Sequence, residues 1–442
     1  MRITLIQPCL GRRPGEPYIR SWQMEPLAPA VLKALTPTDI EVRFYDDRLE
    51  PIPYEERTDL VALSVETYTA RRAYQIASEY RSRGIPVALG GFHPTLMPGE
   101  SAEHADCVVE GEAEETWPAL VEDFRAGRLK KSYQGRSRPS LSGLIPDRSI
   151  FEGKGYLPIG LVEWGRGCLF GCEFCSIHAF HERSYRHRPV KAVVDELRSL
   201  RRRLIFFVDD NLACDPDAAR ELLQAVKPLG IRWVGQASLH LARDEALLSL
   251  FKESGCQGLL IGFESLDSAG LGRMNKGFNR FPGGYEEAVR RFRRHGIRLY
   301  ATFMLGYGGE TEKTFEDTLD FAKRQKFYLA AFNHVIPFPG TQLFRRLEGE
   351  GRLRSGAWWL EPSYRFGQLP FEPEGMSAED VSRRCLQARR AFYSIGSILR
   401  RSLDLRANNA RPFSGLNYFA INWMMRREVE QRVGLALGER HV

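Results

Sequence analysis

The sequence of 442 residues has no run approaching the roughly 20 apolar residues that a membrane span needs. Its opening stretch, MRITLIQPCLGRRPGE, reads as a strand and a loop with no secretory apolar segment, so a cytoplasmic protein is expected. There is no G-x-G-x-x-G, which speaks against a nicotinamide dinucleotide. No aromatic-interleaved basic stripe accompanies the net charge of +7. The arginines sit in helical segments such as RSLRRR and RRFRRHGIR, the pattern of solvated helix faces, and nucleic acid is not an expected partner. Cysteines number only eight, and Cys9, Cys107, Cys214, Cys256 and Cys385 stand isolated, as buried thiols rather than a disulfide framework.

What is present is alternation. In residues 1–130 the strand candidates RITLIQP, EVRFYDD, LVALSVET, VALGGFH and CVVEGEA alternate with amphipathic segments. In one of these, Ala73, Ile76, Ala77 and Tyr80 share a helical face. This order predicts a doubly wound, Rossmann-like parallel sheet whose ligand lies at the carboxyl ends of the strands. Those ends read SVETYT, GGFHPT and EGEAEE, and Gly90 and Gly91 would let a large flat ligand approach the backbone. Residues 131–158, dense in Ser, Gly, Pro and charge, read as a linker.

From residue 159 a second series begins, with strand candidates IGLVEWG, RLIFFVDD, IRWVGQAS, GLLIGFES, IRLYATFMLG and YLAAFNHVIP. Pro189 opens a helix striped by Val190, Val193, Val194, Leu197 and Leu200, and Thr311 is positioned to cap another. Six strand–helix units predict a partial (β/α) barrel over 159–345, followed by a mostly helical region, 346–442. Directly after the first of these strands stands RGCLFGCEFCSI, with Cys168, Cys172 and Cys175 in C-x3-C-x2-C spacing. A closed zinc site takes four ligands, which His178 or His181 could complete. A [4Fe–4S] cubane held by three thiolates keeps one iron open to an outside ligand, the arrangement a cluster needs to act chemically. Phe170 and Phe174 would shield such a cluster from water.

The triad, its aromatic before the last cysteine and the six following units resemble the radical S-adenosylmethionine enzymes. The resemblance implies that S-adenosylmethionine chelates the open iron and is cleaved to a 5′-deoxyadenosyl radical that abstracts hydrogen from a substrate carbon. An external electron donor is implied as well. On the barrel rim it implies contacts to S-adenosylmethionine from Phe174, from Asp209 and Asp210 in FVDDN, from Ser238, and from Glu264 in IGFES. GYGGET and IPFPGTQLF are further markers of the family.

The N-terminal pieces WQMEPLAPAVLKAL, GGFHPTLMPGE and VVEGEAEETWPALV resemble the cobalamin-binding domain that precedes this barrel in many members. The resemblance puts Met24, Glu25, Glu66, Thr67, Tyr68, Gly90, Gly91, His93, Gly111 and Glu112 at the cobalamin site. None of the nine histidines stands in D-x-H-x-x-G, so a cobalt ligand from that motif is not expected. The pairing implies hydrogen abstraction followed by methyl transfer from methylcobalamin to a carbon of a small-molecule or lipid-like substrate. Ring closure or rearrangement without methyl transfer, and a non-catalytic iron–sulfur protein, are the alternatives. His178, His240, Tyr300, Tyr307, Asn333 and His334 are candidates for the substrate cavity. In the C-terminal region, FSGLNYFAINWMMRREVEQRV sets Arg beside Trp, Phe and Leu, which opens peripheral membrane contact as well as simple packing on the barrel.

Overall fold

Strands that are buried on both faces read as continuous apolar runs, and β1 (Arg2–Gln7), β3 (Leu60–Ser64), β4 (Val87–Gly90) and β5 (Cys107–Glu110) do so. With β2 (Glu41–Asp46) and β6 (Ser132–Gln134) they form a fully parallel sheet in the order β2-β1-β3-β4-β5-β6. This computed structural model describes residues 1–135, 139, 141, 143–408 and 412–439. Side chains alternate along the strands. Ile3, Leu5, Leu60, Ala62 and Ala88 face one core, under the helices Leu27–Leu35 and Ala113–Arg125. Ile6, Val61, Leu63, Val87 and Leu89 face the other, where Ala73, Ile76, Ala77 and Tyr80 of the helix Ala70–Ser82 pack as their spacing predicts.

Two features depart from the sequence reading. β6, a three-residue strand inside the expected linker, pairs with β5 through Val108, Val109 and Glu110. And the second core is completed by distant chain: Trp358, Trp359, Leu435 and Leu437 of the C-terminal region are buried there. The C-terminal region is thus shared between the two halves of the protein, and its stretch 351–376 carries no helix.

The second sheet is also fully parallel, in the order β14-β13-β12-β11-β10-β7. Its strands are β7 (Gly160–Val162), β10 (Leu204–Phe207), β11 (Arg232–Ala237), β12 (Cys256–Glu264), β13 (Arg298–Leu305) and β14 (Leu329–His334). The six predicted strands are all here, and the sheet stays open between β7 and β14. A small antiparallel hairpin, β8 (Gly165–Gly167) with β9 (Tyr185–His187), brackets the cysteine loop. Helices Ala378–Phe392, Ile395–Ser402 and Pro412–Arg432 follow the barrel.

Candidate active site

The cysteine loop leaves β8 and ends at Cys175, the N-cap of the helix Ser176–His181. Neighbouring elements fix its backbone. Asp209, at the end of β10, accepts from the Trp164 and Gly165 N–H groups at 3.1 and 2.6 Å, and Asp210 accepts from the Gly167 N–H at 3.0 Å. Asn275 donates to the Gly171 carbonyl at 2.6 Å, and Arg346 pairs with Glu173 at 2.8 Å. Phe170 stacks on Phe278 with ring centroids 3.8 Å apart. Among the described residues no three His, Cys, Asp or Glu side chains converge as they would on one metal ion. Three thiols on a pinned loop, each available to a separate iron, fit a cubane better than a single tetrahedral zinc.

Asp209 is a correction to the sequence reading. Both its oxygens are taken by backbone N–H groups and it is almost fully buried, so it clamps the loop and is not an open acceptor for an ammonium. Burial pushes its carboxyl up to about 8 and that of Asp210 up to about 6. Asp210 differs in that its side chain also lines a cavity. Cys214, counted as isolated from sequence, lies against the loop: its sulfur accepts from the Leu169 N–H at 3.3 Å and its thiol bonds Cys168. That donor draws the Cys168 thiol down to about 7, whereas burial raises Cys172 to about 12. Cys214 follows FVDDN on the same rim, and that position was the only signal for it.

At the end of β12 the register shifts between Gly262 and Glu264, and Glu264 takes a φ of +62°. Its carboxylate meets Lys276 Nζ at 2.5 Å, and a Cβ at Gly262 would lie 2.2 Å from that carboxylate, so only glycine leaves the pair its place. Burial disfavours the Lys276 ammonium, but Glu264 and the neighbouring thiols more than offset it and raise its pKa. Lys276 also lies 5.9 Å from the Phe174 ring centroid, which joins Glu264, Lys276 and Phe174 into one wall beside the loop. Ser238, at the end of β11, donates its N–H to Asn211 Oδ1. The Asn211 amide is buried on this rim and its N–H faces the Cys168 sulfur, which it helps hold as thiolate.

A cavity of about 390 Å³ lies between the two sheets. Ser64, Glu66, Gly90, Gly91, Gly111 and Glu112 line it from the first sheet, and Ile177, Phe180 and His181 from beyond the cysteine loop. Gly91 has a φ of +109°, and a Cβ there would stand 2.9 Å from the Val65 carbonyl oxygen, so only glycine lets this turn lie against the end of β3. Glu66 opens into the cavity but is walled by protein on its other sides, and this burial raises its carboxyl. The walls are largely apolar and the volume sits at strand carboxyl ends, features that fit a corrinoid. His181 is the histidine on this lining, and its Nδ1 faces Glu112 at 3.6 Å.

Of the predicted cobalamin residues, Glu66, Gly90, Gly91, Gly111 and Glu112 reach this cavity and five do not. His93 is fully buried with Nδ1 on Thr67 at 3.3 Å and Nε2 on Glu100 at 2.9 Å, so it braces the SVETYT loop and is not a cobalt ligand. Thr67 is its partner. Burial opposes ionisation of Glu100, but bonds from His93, Tyr74 and Trp359 outweigh it and hold the carboxyl below its usual range. Glu25 pairs with Arg202 at 2.9 Å, tying the segment before the helix Leu27–Leu35 to the chain that leads into β10. Met24 offers its carbonyl to Arg48 at 2.9 Å. Tyr68 points away, into a second cavity.

That second cavity, about 380 Å³, lies between the barrel strands and the C-terminal helices. Phe174, Tyr300, Asn333 and His334 line it, with Trp22, Arg389 and Arg432 among residues the sequence reading did not single out. His178 and His240 do not reach it, and the Tyr307 hydroxyl is spent on the Arg273 carbonyl at 3.1 Å.

The two halves are locked beside the first cavity. Arg166 of β8 meets Glu112 at 3.1 Å, Glu114 at 2.7 Å and Glu163 at 2.8 Å, and Arg186 of β9 also pairs with Glu112. Phe92 stacks on Phe180 with centroids 4.4 Å apart.

Comparison with known proteins matches the Radical SAM superfamily over residues 162–322 and the B12 binding domain over residues 31–121. The bacteriochlorophyllide d C-12(1)-methyltransferase of Chlorobaculum tepidum is 30% identical over 389 residues, covering 85% of this chain and 84% of that protein. The radical S-adenosylmethionine methyltransferase TsrM of Kitasatospora setae, solved with cobalamin and a [4Fe–4S] cluster, superposes with a TM-score of 0.64 at 18% identity over 97% of this chain and 98% of that one. The cobalamin-dependent S-adenosylmethionine radical enzyme OxsB gives a TM-score of 0.65 at 14% identity, over 97% of this chain and 72% of that one.

Proposed function

The chain belongs to the radical S-adenosylmethionine enzymes that carry a cobalamin-binding domain, and from that premise we propose that it methylates an unactivated carbon of a small organic molecule bound in the second cavity. Its cofactors are a [4Fe–4S] cluster, S-adenosylmethionine and cobalamin. When bound, the cluster with S-adenosylmethionine supplies hydrogen abstraction from carbon, and cobalamin supplies the methyl group. Cys168, Cys172 and Cys175 would hold the cluster. Asp209 and Asp210 fix the loop that carries them. The Glu264–Lys276 pair, Phe174 and Ser238 would orient S-adenosylmethionine, and Gly90, Gly91, Gly111 and Glu66 would cradle the corrinoid. The aromatic walls of the second cavity exclude water from the substrate.

The observation that carries this reading is the first cavity, which is lined jointly by the strand ends of the first sheet and by the helix that follows the cysteines. The test is anaerobic turnover with reductant, S-adenosylmethionine bearing a deuterated methyl group, and bacteriochlorophyllide d, the compound named for the relative from Chlorobaculum tepidum. The expected products are 5′-deoxyadenosine and S-adenosylhomocysteine in equal amounts, with the label on pigment carbon. 5′-Deoxyadenosine without S-adenosylhomocysteine would replace methyl transfer by ring closure or rearrangement.

Peripheral contact with an anionic lipid surface is favoured by one feature of the C-terminal helices. Ile395, Leu399, Leu416, Phe419 and Trp423 are exposed on two helices that pack through Ile398 and Tyr418, with the exposed Leu403 just after the first, flanked by the exposed Arg400, Arg406 and Arg427. No helix among the described residues is long and apolar enough to cross a membrane. The protein is expected to sediment with phosphatidylserine-containing vesicles and not with pure phosphatidylcholine vesicles, and Leu416→Glu with Trp423→Glu to abolish this. Equal partitioning of wild type between the two would end the idea.

A further inference from the structure

The second cavity holds a cation that the protein leaves uncompensated. Arg389 lies one turn after the buried Cys385 and beside the buried Ala388 on the helix Ala378–Phe392, and its side chain opens into the cavity. Its Nε donates to the Phe332 carbonyl at 2.9 Å, and one Nη reaches Asn333 Oδ1 only at 3.5 Å. The titratable groups that act on it most strongly are Cys385, Arg432, Tyr300 and Tyr68, with His334 beside it, and none of these is a carboxylate. Burial and Arg432 together leave its pKa below the usual value for arginine.

Two other arginines show how unusual this is. Arg432 lines the same cavity but pairs with Glu428 at 2.6 Å and donates to Ser21 Oγ at 2.6 Å. Arg401 is wholly buried and also lacks an acid, yet it donates to the Phe327, Tyr328 and Phe392 carbonyls and to Asn422, and lies 3.8 Å over the Phe392 ring. Arg389 has one carbonyl and a long contact to Asn333, less than either form of compensation. A guanidinium stays charged in proteins, and a half-buried one with no acid beside it is left poorly compensated. Its planar fork matches a carboxylate in two parallel N–H···O bonds.

The rest of the lining suits such a ligand. Tyr300 contributes a phenol, and His334, held neutral by burial and by the Arg389 cation, faces the Gln368 backbone with its ring. Trp22, Phe338 and Phe366 supply flat apolar walls. A phosphate, with its second charge, would need more donors than one arginine and a phenol.

We infer that the second cavity binds a substrate whose carboxylate pairs with the two Nη groups of Arg389 and whose apolar body lies against Trp22, Phe338 and Phe366. The inference rests on the reading of this cavity as the substrate site. Its test is equilibrium binding, so it fails or stands separately from methyl transfer.

The probes are pyrenebutyric acid and its methyl ester, titrated by fluorescence against the full-length chain loaded with its cofactors under anaerobic conditions. The acid is expected to bind about tenfold or more tightly than the ester. Arg389→Gln is expected to weaken the acid to the level of the ester, with ester binding and corrinoid content unchanged, and Arg389→Lys to retain part of the preference. If Arg389→Gln fails to load its cofactors, the comparison of acid and ester on wild type still decides. Equal affinity for the two probes, binding of neither, or a preference that survives Arg389→Gln overturns the inference.

Discussion

Replacing any one of Cys168, Cys172 or Cys175 by alanine is expected to abolish both iron–sulfur assembly and formation of 5′-deoxyadenosine, while Cys214→Ala leaves both in place. The contrast is what gives the experiment its force, because Cys214 is as close to the loop as a fourth ligand would be. Three thiolates keep one iron open, whereas a fourth would close the cluster and leave S-adenosylmethionine no metal to bind. Cys214 is anchored after β10 and spends its sulfur on the Leu169 N–H and on Cys168, which is the behaviour of a support for the loop. Loss of one loop thiol should lower turnover roughly a thousandfold or more, as when one member of a set that acts as a unit is removed. Iron and sulfide analysis after anaerobic reconstitution is the readout. Parallel loss of iron in Cys214→Ala would show four-thiolate ligation and sink the open-iron reading. Full iron content in a loop variant would do the same.

β1, β3, β4 and β5 are legible because parallel strands buried on both faces are apolar throughout, whereas β2, β11, β13 and β14 bury only part of their residues and stand out by their place in the strand–helix alternation. β6 could not be read, since the three residues SYQ at a sheet edge bury only Tyr133 and are too short for a run or an alternation to stand out. Nor could the burial of Trp358 and Trp359 under the first sheet, because local periodicity says that a residue is buried and not against what. The same limit governs the site. FVDDN marks two acids at a strand end, but only the fold reveals that Asp209 faces backbone N–H groups while Asp210 also reaches a cavity. His93 stands in a glycine-rich ligand loop and is nonetheless turned inward to Thr67 and Glu100. Arg389 lies in a run of alternating apolar and arginine residues, where a cation facing a cavity looks like its solvated neighbours.

Arg166→Ala should be the most damaging substitution outside the cysteines. Arg166 is the shared partner of Glu112 and Glu114 from one half of the protein and Glu163 from the other, and burial of its guanidinium is outweighed by these three carboxylates, which raise its pKa. Removing it leaves three acids facing one another in a poorly hydrated junction. Breaking a buried charge cluster from one side costs about 3–5 kcal/mol, because the remaining charges stay desolvated without a partner. In a chain of this size that corresponds to a fall of roughly 3–5 °C in the unfolding midpoint. Arg186 still holds Glu112, so the junction should loosen rather than separate. Because Arg166, Glu112 and Glu114 also line the first cavity, corrinoid content should drop with stability. Lys191→Ala, which breaks an exposed pair with Asp195 at 2.5 Å, is the control and should leave the midpoint unchanged. Adding Glu114→Gln to Arg166→Ala removes one of the stranded charges and should recover part of the loss. If the midpoint of Arg166→Ala matches that of the control, the junction is held by apolar contacts such as Phe92 on Phe180 and the charge cluster contributes little to it.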